Sequence, residues 1–292
     1  MKKISELITF LVSARKLISK IPKYYSKFSN KIYDNHQKMI ILIFRQKMRM
    51  TYRGIVRFFR FSGLARALLN LKSVPDHSTL VKFHKKLNPE ELDSLLCKKP
   101  VITSAIDSSG FETSHMSYYY ANRWNKQDKR KHRKYLKVSI AIDTDSQYIL
   151  AQRIRLGPRN DNIDFETVLK EIKCKFVVAD KGYDSRENRL FVLNKLRAYP
   201  HIPYRICSGT TYTHNGQVKI ICDDRIYHQR SKVETVFSVI KRKYGSSVSS
   251  KSFESQKREI LIRLIAYNVD RNVILISLLI LGIHQSPFYK DL

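Results

Sequence analysis

Three acidic residues and their neighbours carry the chemistry this chain could perform. Asp107 closes the apolar run VITSAID, Asp180 closes FVVAD, and Glu234 lies within YHQRSKVETVFSVIK (227–241). Taken as a helix with Arg230 at zero, that last segment puts Glu234 at about 40°, Lys241 at about 20° and Tyr227 at about 60°. Val233, Val236, Phe237 and Ile240 fall between about −20° and −120°, so an apolar face lies beside a narrow polar stripe. One carboxylate flanked by an arginine, a lysine and a phenol suits a site for a metal ion and phosphates. The alternative is an i, i+4 Arg–Glu pair on a solvated helix. Three carboxylates brought together repel one another at neutral pH unless a cation neutralises them. Hard oxygen ligands with open positions suit Mg²⁺ or Mn²⁺, and two such ions can activate a nucleophile and stabilise the leaving oxygen of phosphoryl transfer.

The elements that must position these residues begin near 101. VITSAID (101–107) predicts a strand, YLKVSIAID (135–143) and QYILAQRIR (147–155) a hairpin, and NIDFETVLKEI (162–172) a helix. FVVAD (176–180) is a continuous apolar run, the mark of a strand buried on both faces. Asp184 with Glu187 suggests a capping box for a helix to about 196, and the two prolines of YPHIPYRI (199–206) allow only an edge strand. A polar loop (207–225), the 227–241 helix and a long helix from about 253 into the 270s complete the order. Such an order predicts a mixed α/β sheet with helices on its faces. In open α/β sheets functional groups gather at strand ends, so the first strand and FVVA are candidates for neighbours, with Asp107 and Asp180 at one rim.

The first part of the chain reads differently. Residues 1–60 hold fifteen Lys or Arg against Glu6 and Asp34, interleaved with aromatics. MKKISELITFLVSARK reads as an amphipathic basic helix. A helix is predicted over about 35–49, and a second, TYRGIVRFFRF, with Thr51 as its cap, Arg53 and Arg57 on it and a stop near Gly63. Ser78 is a candidate cap for a short helix bearing Lys82, Lys85 and Lys86, and Asn88-Pro89 starts another. Short helices with a basic last member predict a helix-turn-helix-like DNA-binding module. The run RWNKQDKRKHRKYLK (123–137) holds Trp124, Arg123, Lys129, Arg130, Lys131, Arg133 and Lys134 and predicts a phosphate-contacting loop. The formal net charge of +30 over 292 residues argues for a polyanionic partner, nucleic acid or an anionic membrane surface. Apart from residues 1–20 no amphipathic anchor matches that charge, and VILISLLILG (273–282) is about half a bilayer span, read as a buried helix end. Cys97, Cys174, Cys207 and Cys222 have no CxxC spacing and read as reduced cytosolic thiols.

With these blocks in hand, IDSSGF, ADKGYDS and Y-x2-R-x3-E-x6-K resemble the three catalytic blocks of the DDE transposases of prokaryotic insertion sequences. SVPDHSTL is similar to the family's N-terminal region, and the resemblance covers roughly residues 35–275. It implies an RNase H-like catalytic core preceded by the all-α module, two divalent ions per site, and cut-and-join chemistry on element ends. It assigns Asp107, Asp180 and Glu234 to the metal-binding triad, and Tyr227, Arg230 and Lys241 to contacts with DNA near the scissile phosphate. The partners it implies are the element's terminal repeats, target DNA and further copies of the chain, as a homodimer or larger synaptic assembly, with no membrane and a cytoplasmic, nucleoid-associated location. Only 53 residues separate Asp180 from Glu234, which leaves no room for the large β-rich insertion some relatives carry.

The implied division is 1–98 for DNA binding, 99–275 for catalysis and 276–292 as a helix end and tail. A fragment of residues 1–100 is accordingly expected to keep much of the end preference. Two further functions stay open on the residues alone, a metal-dependent nuclease that cuts without joining and a DNA-binding regulator with an inactive core. Of the other acids, Asp143 is expected in a hairpin turn, Asp161 and Asp184 at helix caps, and Asp223 and Asp224 as capping or solvated.

Overall fold

The computed structural model describes residues 2–113, 135–157, 159–204 and 223–280. The chain forms two compact units, residues 96–251 and residues 1–95 together with 252–292.

The 96–251 unit is built on one sheet. In chain order it holds β1 (Val101–Thr113), β2 (Tyr135–Asp143), β3 (Ile149–Leu156), α7 (Asn162–Leu169) and β4 (Cys174–Ala179). A 3₁₀ turn (Lys181–Tyr183), α8 (Arg186–Leu190) with its π-helical continuation (Phe191–Lys195) and β5 (Tyr199–His201) follow. Then come α9 (Asp224–Tyr227), a 3₁₀ turn (His228–Arg230), α10 (Ser231–Tyr244) and the short β6 (Ser247–Val248). The strand order among the described residues is β3-β2-β1-β4-β5, with β6 added on β1. β1, β2 and β3 are antiparallel, while β4 joins β1 and β5 joins β4 in parallel. The apolar run of β4 is therefore central and the proline-bearing β5 is an edge, as their compositions require.

β1 is longer than its apolar run. It continues through Ser108, Ser109 and Gly110, because β2 offers ladder partners as far as Glu112 opposite Tyr135. Backbone pairing thus overrides the weak strand preference of these residues, and Asp107 lies mid-strand, not at a strand end. One face of the sheet carries the core of Ile106, Phe165, Val168, Val177, Ala179, Tyr183 and Val192. The other is covered by α10, whose Val233, Val236, Phe237 and Ile240 are all buried, each contributing about 1.5–3 kcal/mol. Gly245 ends α10 at φ 101°, a conformation that favours glycine.

Several capping expectations are corrected. Ser185, not Asp184, caps α8, because the Asp184 carboxylate is taken by Arg189 at 2.8 Å. Asp161 does hold the N-cap position of α7, but its side chain makes no capping bond, its carboxylate being drawn to Lys137 and Arg155. Asp143 does close the hairpin turn, accepting from the N–H groups of Asp145 and Ser146. Asp223 caps α9 through the Arg225 N–H.

The helical unit contains α1 (Lys2–Ile18), α2 (Asn35–Lys47), α3 (Tyr52–Phe61), α4 (Gly63–Leu68), α5 (His77–Lys86), α6 (Pro89–Asp93) and α11 (Phe253–Ile280). Thr51 and Asn88 cap as expected, but α5 is capped by Asp76, whose carboxylate accepts from the Ser78 N–H. The sequence assigned the residues of α11 as far as 275 to the catalytic segment; the helix instead clusters with the N-terminal helices. Its buried run from Ile260 to Ala266 packs on α1, α2, α5 and α6, which leave an apolar gap without it. The Lys47–Asp270 ion pair fixes its register against α2, and within the helix Glu259 pairs with Arg263 at 2.5 Å. At its end Val273 and Leu275 are buried, but Leu279 and Ile280 are exposed, so only part of the apolar tail run is core. Residues 281–292 lie outside the described residues, as do Cys207 and Cys222.

Two outcomes follow from this packing. A fragment ending at residue 100 lacks α11, so it should show no cooperative melt by circular dichroism, contrary to the expectation from sequence. Stability should also fall in mild acid through His84. Burial first, then the Arg45 charge, lower its pKa from 6.5 to about 4 against the pull of Glu259. The unfolded chain takes up a proton below about 6.5 that the folded chain refuses until about 4. The stabilising contribution is complete above pH 6.5 and lost as pH falls toward 4, a difference of roughly 3 kcal/mol at most. Urea midpoints measured from pH 7 to 4.5 should fall less steeply in His84→Phe than in the wild type.

Candidate active site

The pairing of β1 with β4 brings Ile106 opposite Ala179. The next residue on each strand is Asp107 and Asp180, and Asp180 keeps extended backbone angles, φ −69° and ψ 157°. Neighbouring strands lie about 4.8 Å apart and equivalent positions point to the same face, so the register sets these two acids side by side. One oxygen of each is held by the next backbone N–H, Ser108 to Asp107 at 2.8 Å and Lys181 to Asp180 at 2.8 Å. No further hydrogen bond to either carboxylate occurs among the described residues.

The third acid arrives on α10. The helix predicted over 227–241 is a helical path tightened at His228–Arg230 into a 3₁₀ turn, which packs on both β1 and β4. Arg230 Nη1 donates to Glu234 Oε1 at 2.6 Å, the i, i+4 pair that the sequence offered as the alternative, and Glu234 keeps 53% of its side chain exposed. The pair is not an isolated surface feature. Burial pushes the Asp107 carboxyl above its ordinary value; the Ser108 N–H and Arg230 pull it down, and Glu234 and Asp180 push it further up. Burial weakens Arg230's hold on its proton, but Glu234, Tyr227 and Asp180 more than offset this and keep the guanidinium charged. Asp107, Asp180, Glu234, Arg230 and Tyr227 therefore share one electrostatic environment.

Lys241 stands apart from that group. Its ammonium lies over the Phe111 ring, 5.4 Å from the centroid. Seven residues of helix separate it from Glu234, about 10 Å. It therefore lies over β1 at Phe111, away from the acids.

Beneath the acids lies the phenol of Tyr183, 2% exposed; burial and then Asp107 raise its affinity for the proton, while the Ser108 hydroxyl opposes them. A buried network borders this floor. Asp164 on α7 is fully buried, accepts from Ser139 at 2.7 Å and pairs with Arg155 at 2.8 Å, pinning the helix to β2 and β3.

One positioning contact escaped the sequence reading. Thr144, 1% exposed in the β2–β3 turn, donates its hydroxyl to Gln229 Oε1 at 2.6 Å. Gln229 sits in the 3₁₀ turn immediately before Arg230, so the hairpin holds the turn that aims Arg230 and Glu234. Nothing in the DTDS sequence marks this partner, which lies 85 residues away.

The donors fit a hard divalent cation in part. Asp107 and Asp180 present carboxylates side by side; burial is the first cause of the upward push on Asp107, and the smaller repulsion from Glu234 and Asp180 is the part a cation would relieve. Glu234 is turned to Arg230, and among the described residues no three potential ligands converge closely enough to hold one ion. Glu234 would have to leave Arg230 to join the two aspartates. Of the residues expected to bind DNA, Arg53, Arg57, Lys82, Lys85 and Lys86 are exposed on α3 and α5. Arg123, Trp124, Lys129, Arg130, Lys131, Arg133 and Lys134 lie outside the described residues.

A mixed sheet of this order with helices on both faces is compatible with an RNase H-like core preceded by a helical region. Residues 100–269 match the family model described as the transposase DDE domain. That span is more than half of the chain, and the protein belongs to the DDE transposases. A relative, an uncharacterized protein of Aquifex aeolicus (strain VF5), is 22% identical over 297 residues, 93% of this chain and 87% of its own length. No helix among the described residues is long and apolar enough to cross a membrane.

The Thr144 contact can be tested. Thr144→Val keeps the shape and removes the donor, and a small misplacement of reacting groups costs large factors in rate. Thr144→Val should slow DNA cleavage by roughly 10-fold with the melting temperature nearly unchanged, and Thr144→Ser should restore the rate.

Proposed function

We propose that this chain is a DNA transposase that cuts at its element's ends and joins them to target DNA, with Asp107, Asp180 and Glu234 as the catalytic acids. The observation that supports this reading most directly is the β1–β4 register, which sets Asp107 beside Asp180 under the Arg230–Glu234 pair. The family generally uses divalent metal ions, and Asp107, Asp180 and a redirected Glu234 would hold Mg²⁺ or Mn²⁺, two ions per site. Such ions, when bound, supply Lewis acidity to the phosphate and to the attacking oxygen.

In the first reaction a water oxygen bonds to the scissile phosphorus, and the bond to the 3′ oxygen breaks. That oxygen takes up a proton and leaves as a 3′-hydroxyl. In the second, the freed 3′ oxygen loses its proton and attacks a target phosphorus, and a target 3′ oxygen leaves. The protein's own groups hold the phosphate in line and oppose its charge. Arg230, adjacent to the acids and kept protonated by them, is suited to the equatorial oxygens. Lys241, two turns along the helix, is suited to a phosphate further along the strand. The exposed bases of α3 and α5 would take the terminal repeats, and two ends held together require more than one copy of the chain.

The experiment is incubation with Mg²⁺ and DNA carrying the element's own ends, mapping cut and joined products. Cutting without joining would make the protein a nuclease. Asp107→Asn, Asp180→Ala and Glu234→Ala should abolish cleavage and spare end binding. Arg230→Ala should lower the single-turnover rate by roughly 10- to 1,000-fold, without full rescue by Arg230→Lys, whereas Lys241→Ala should act mainly on DNA affinity.

Asp107→Asn offers a second readout. A carboxyl whose native pKa is raised stabilises the fold fully only below its ordinary value of 3.8, and that contribution is lost as pH rises through the native value. At pH 7 without added metal, Asp107→Asn should therefore melt higher than the wild type, by roughly 2–4 °C. Added Mg²⁺ or Mn²⁺ should raise the wild-type melt and leave the variant's unmoved.

A further inference from the structure

The connection from α1 to α2 has a surface that neither the family nor the site explains. It reads SKIPKYYSKFSNKIYD (19–34), with Lys20, Lys23, Lys27 and Lys31 and no acid before Asp34. Between the lysines stand apolar side chains turned to solvent, Phe28 at 84% exposure, Ile32 at 62% and Tyr25 at 46%.

The segment is anchored along its length. Asn35 donates from its backbone to the Lys23 carbonyl at 2.9 Å and from its side chain to that of Pro22 at 3.1 Å. Tyr25 Oη donates to Glu91 at 2.8 Å, and the hydroxyls of Tyr33 and Ser73 share a hydrogen bond at 2.8 Å. At the tip, Ser26 accepts twice, its hydroxyl from the Phe28 N–H at 3.2 Å and its carbonyl from the Ser29 N–H at 3.0 Å. This turn holds Phe28 outward, with the Lys27 ammonium 5.0 Å from its ring centroid.

We propose that this loop is a DNA-contacting element, in which Phe28 wedges against a base step while Lys27 and Lys31 lie on the flanking phosphates. An apolar side chain between cations matches the two chemistries that DNA offers together, a stacked base and its phosphates. The neighbouring surface carries the same charge. Lys38, one turn into α2, lies 4.5 Å from the Phe83 ring centroid on α5, near enough to feel Lys86. Asp34 faces Lys23 and Lys38, and beyond Lys38 stand the exposed Lys82, Lys85 and Lys86 of α5. A membrane-seeking segment would present a continuous apolar helix face, which this non-helical connection does not have. The inference rests on reading the chain as a DNA transposase and adds a contact outside α3 and α5.

The test uses the full-length protein and duplex DNA bearing an element end with 2-aminopurine placed along it. Wild-type binding should raise the fluorescence at one step, as a base is unstacked. Phe28→Ala should weaken binding by roughly 5- to 100-fold, abolish the rise and leave the salt dependence unchanged, and Phe28→Trp should keep both affinity and signal. Lys27→Ala with Lys31→Ala should lower the slope of log affinity against log salt by about two. Phe28 is exposed, so melts of its variants should match the wild type. If the wild type binds and cuts DNA and Phe28→Ala is indistinguishable from it, the loop assignment falls and the transposase reading stands. The same holds if Phe28→Ala loses binding only to phosphatidylserine vesicles, which would make the loop a membrane contact. If the wild type binds no DNA at all, both readings fall.

Discussion

The parallel pairing of β1 with β4 is the constraint on which the 96–251 unit depends. It is held by Ala105 and Ile106 against Val178 and Ala179, all without solvent exposure, between helices on both faces. Its register leaves no choice about the next step along each strand, where two aspartates meet. Like charges a strand spacing apart destabilise the fold in the absence of a counter-charge. The Asp107 carboxyl is pushed up first by its burial and then by Glu234 and Asp180, and the Ser108 N–H and Arg230 offset only part of it. A packed apolar ladder that sets carboxylates side by side imposes a charge conflict that the rest of the fold must carry.

The third acid obeys a different logic. Glu234 rides on a helix whose buried side chains fix its rotation, so the apolar face of α10 does for Glu234 what the ladder does for the aspartates. The Arg230–Glu234 bond satisfies both readings of the motif. It is an i, i+4 pair, and it stands over a charged centre that gives both partners further work. In the observed arrangement Arg230 supplies the positive charge that a cation would otherwise bring. Thr144 matters here because a 3₁₀ turn has weaker internal hydrogen bonding than an α-helix and gains most from an external tether.

The helical unit shows how chain order and compactness can part company. Its N-terminal helices and α11 are separated in sequence by the whole 96–251 unit. The buried Lys47–Asp270 pair and the apolar run of α11 tie them together. The Lys47 ammonium also reaches Glu6 at 3.3 Å, so one cation on α2 ties both α1 and α11 to it.

Much of this was legible in the residues. The alternating and continuous apolar runs determined the strands, and the 3.6-residue period determined which face of α10 is buried. Thr51, Asn88 and Asp143 could be read because a cap or turn acts within three or four residues of itself. The identity and spacing of Asp107, Asp180, Glu234 and Arg230 pointed to one site because those residue types have few other reasons to sit after strands and along one helix stripe. What tertiary structure alone decided was everything that depends on a partner distant in the chain. β1 runs past its apolar stretch because β2 supplies the hydrogen bonds. The Asp184 and Asp161 side chains cap nothing because Arg189 and Lys137 claim their carboxylates. Lys241 lies over Phe111, away from the acids. α11 joins the helices because the gap it fills is there. Local sequence fixes propensity and periodicity, whereas competition for a charge, a ladder partner or an apolar face is settled only when distant segments meet.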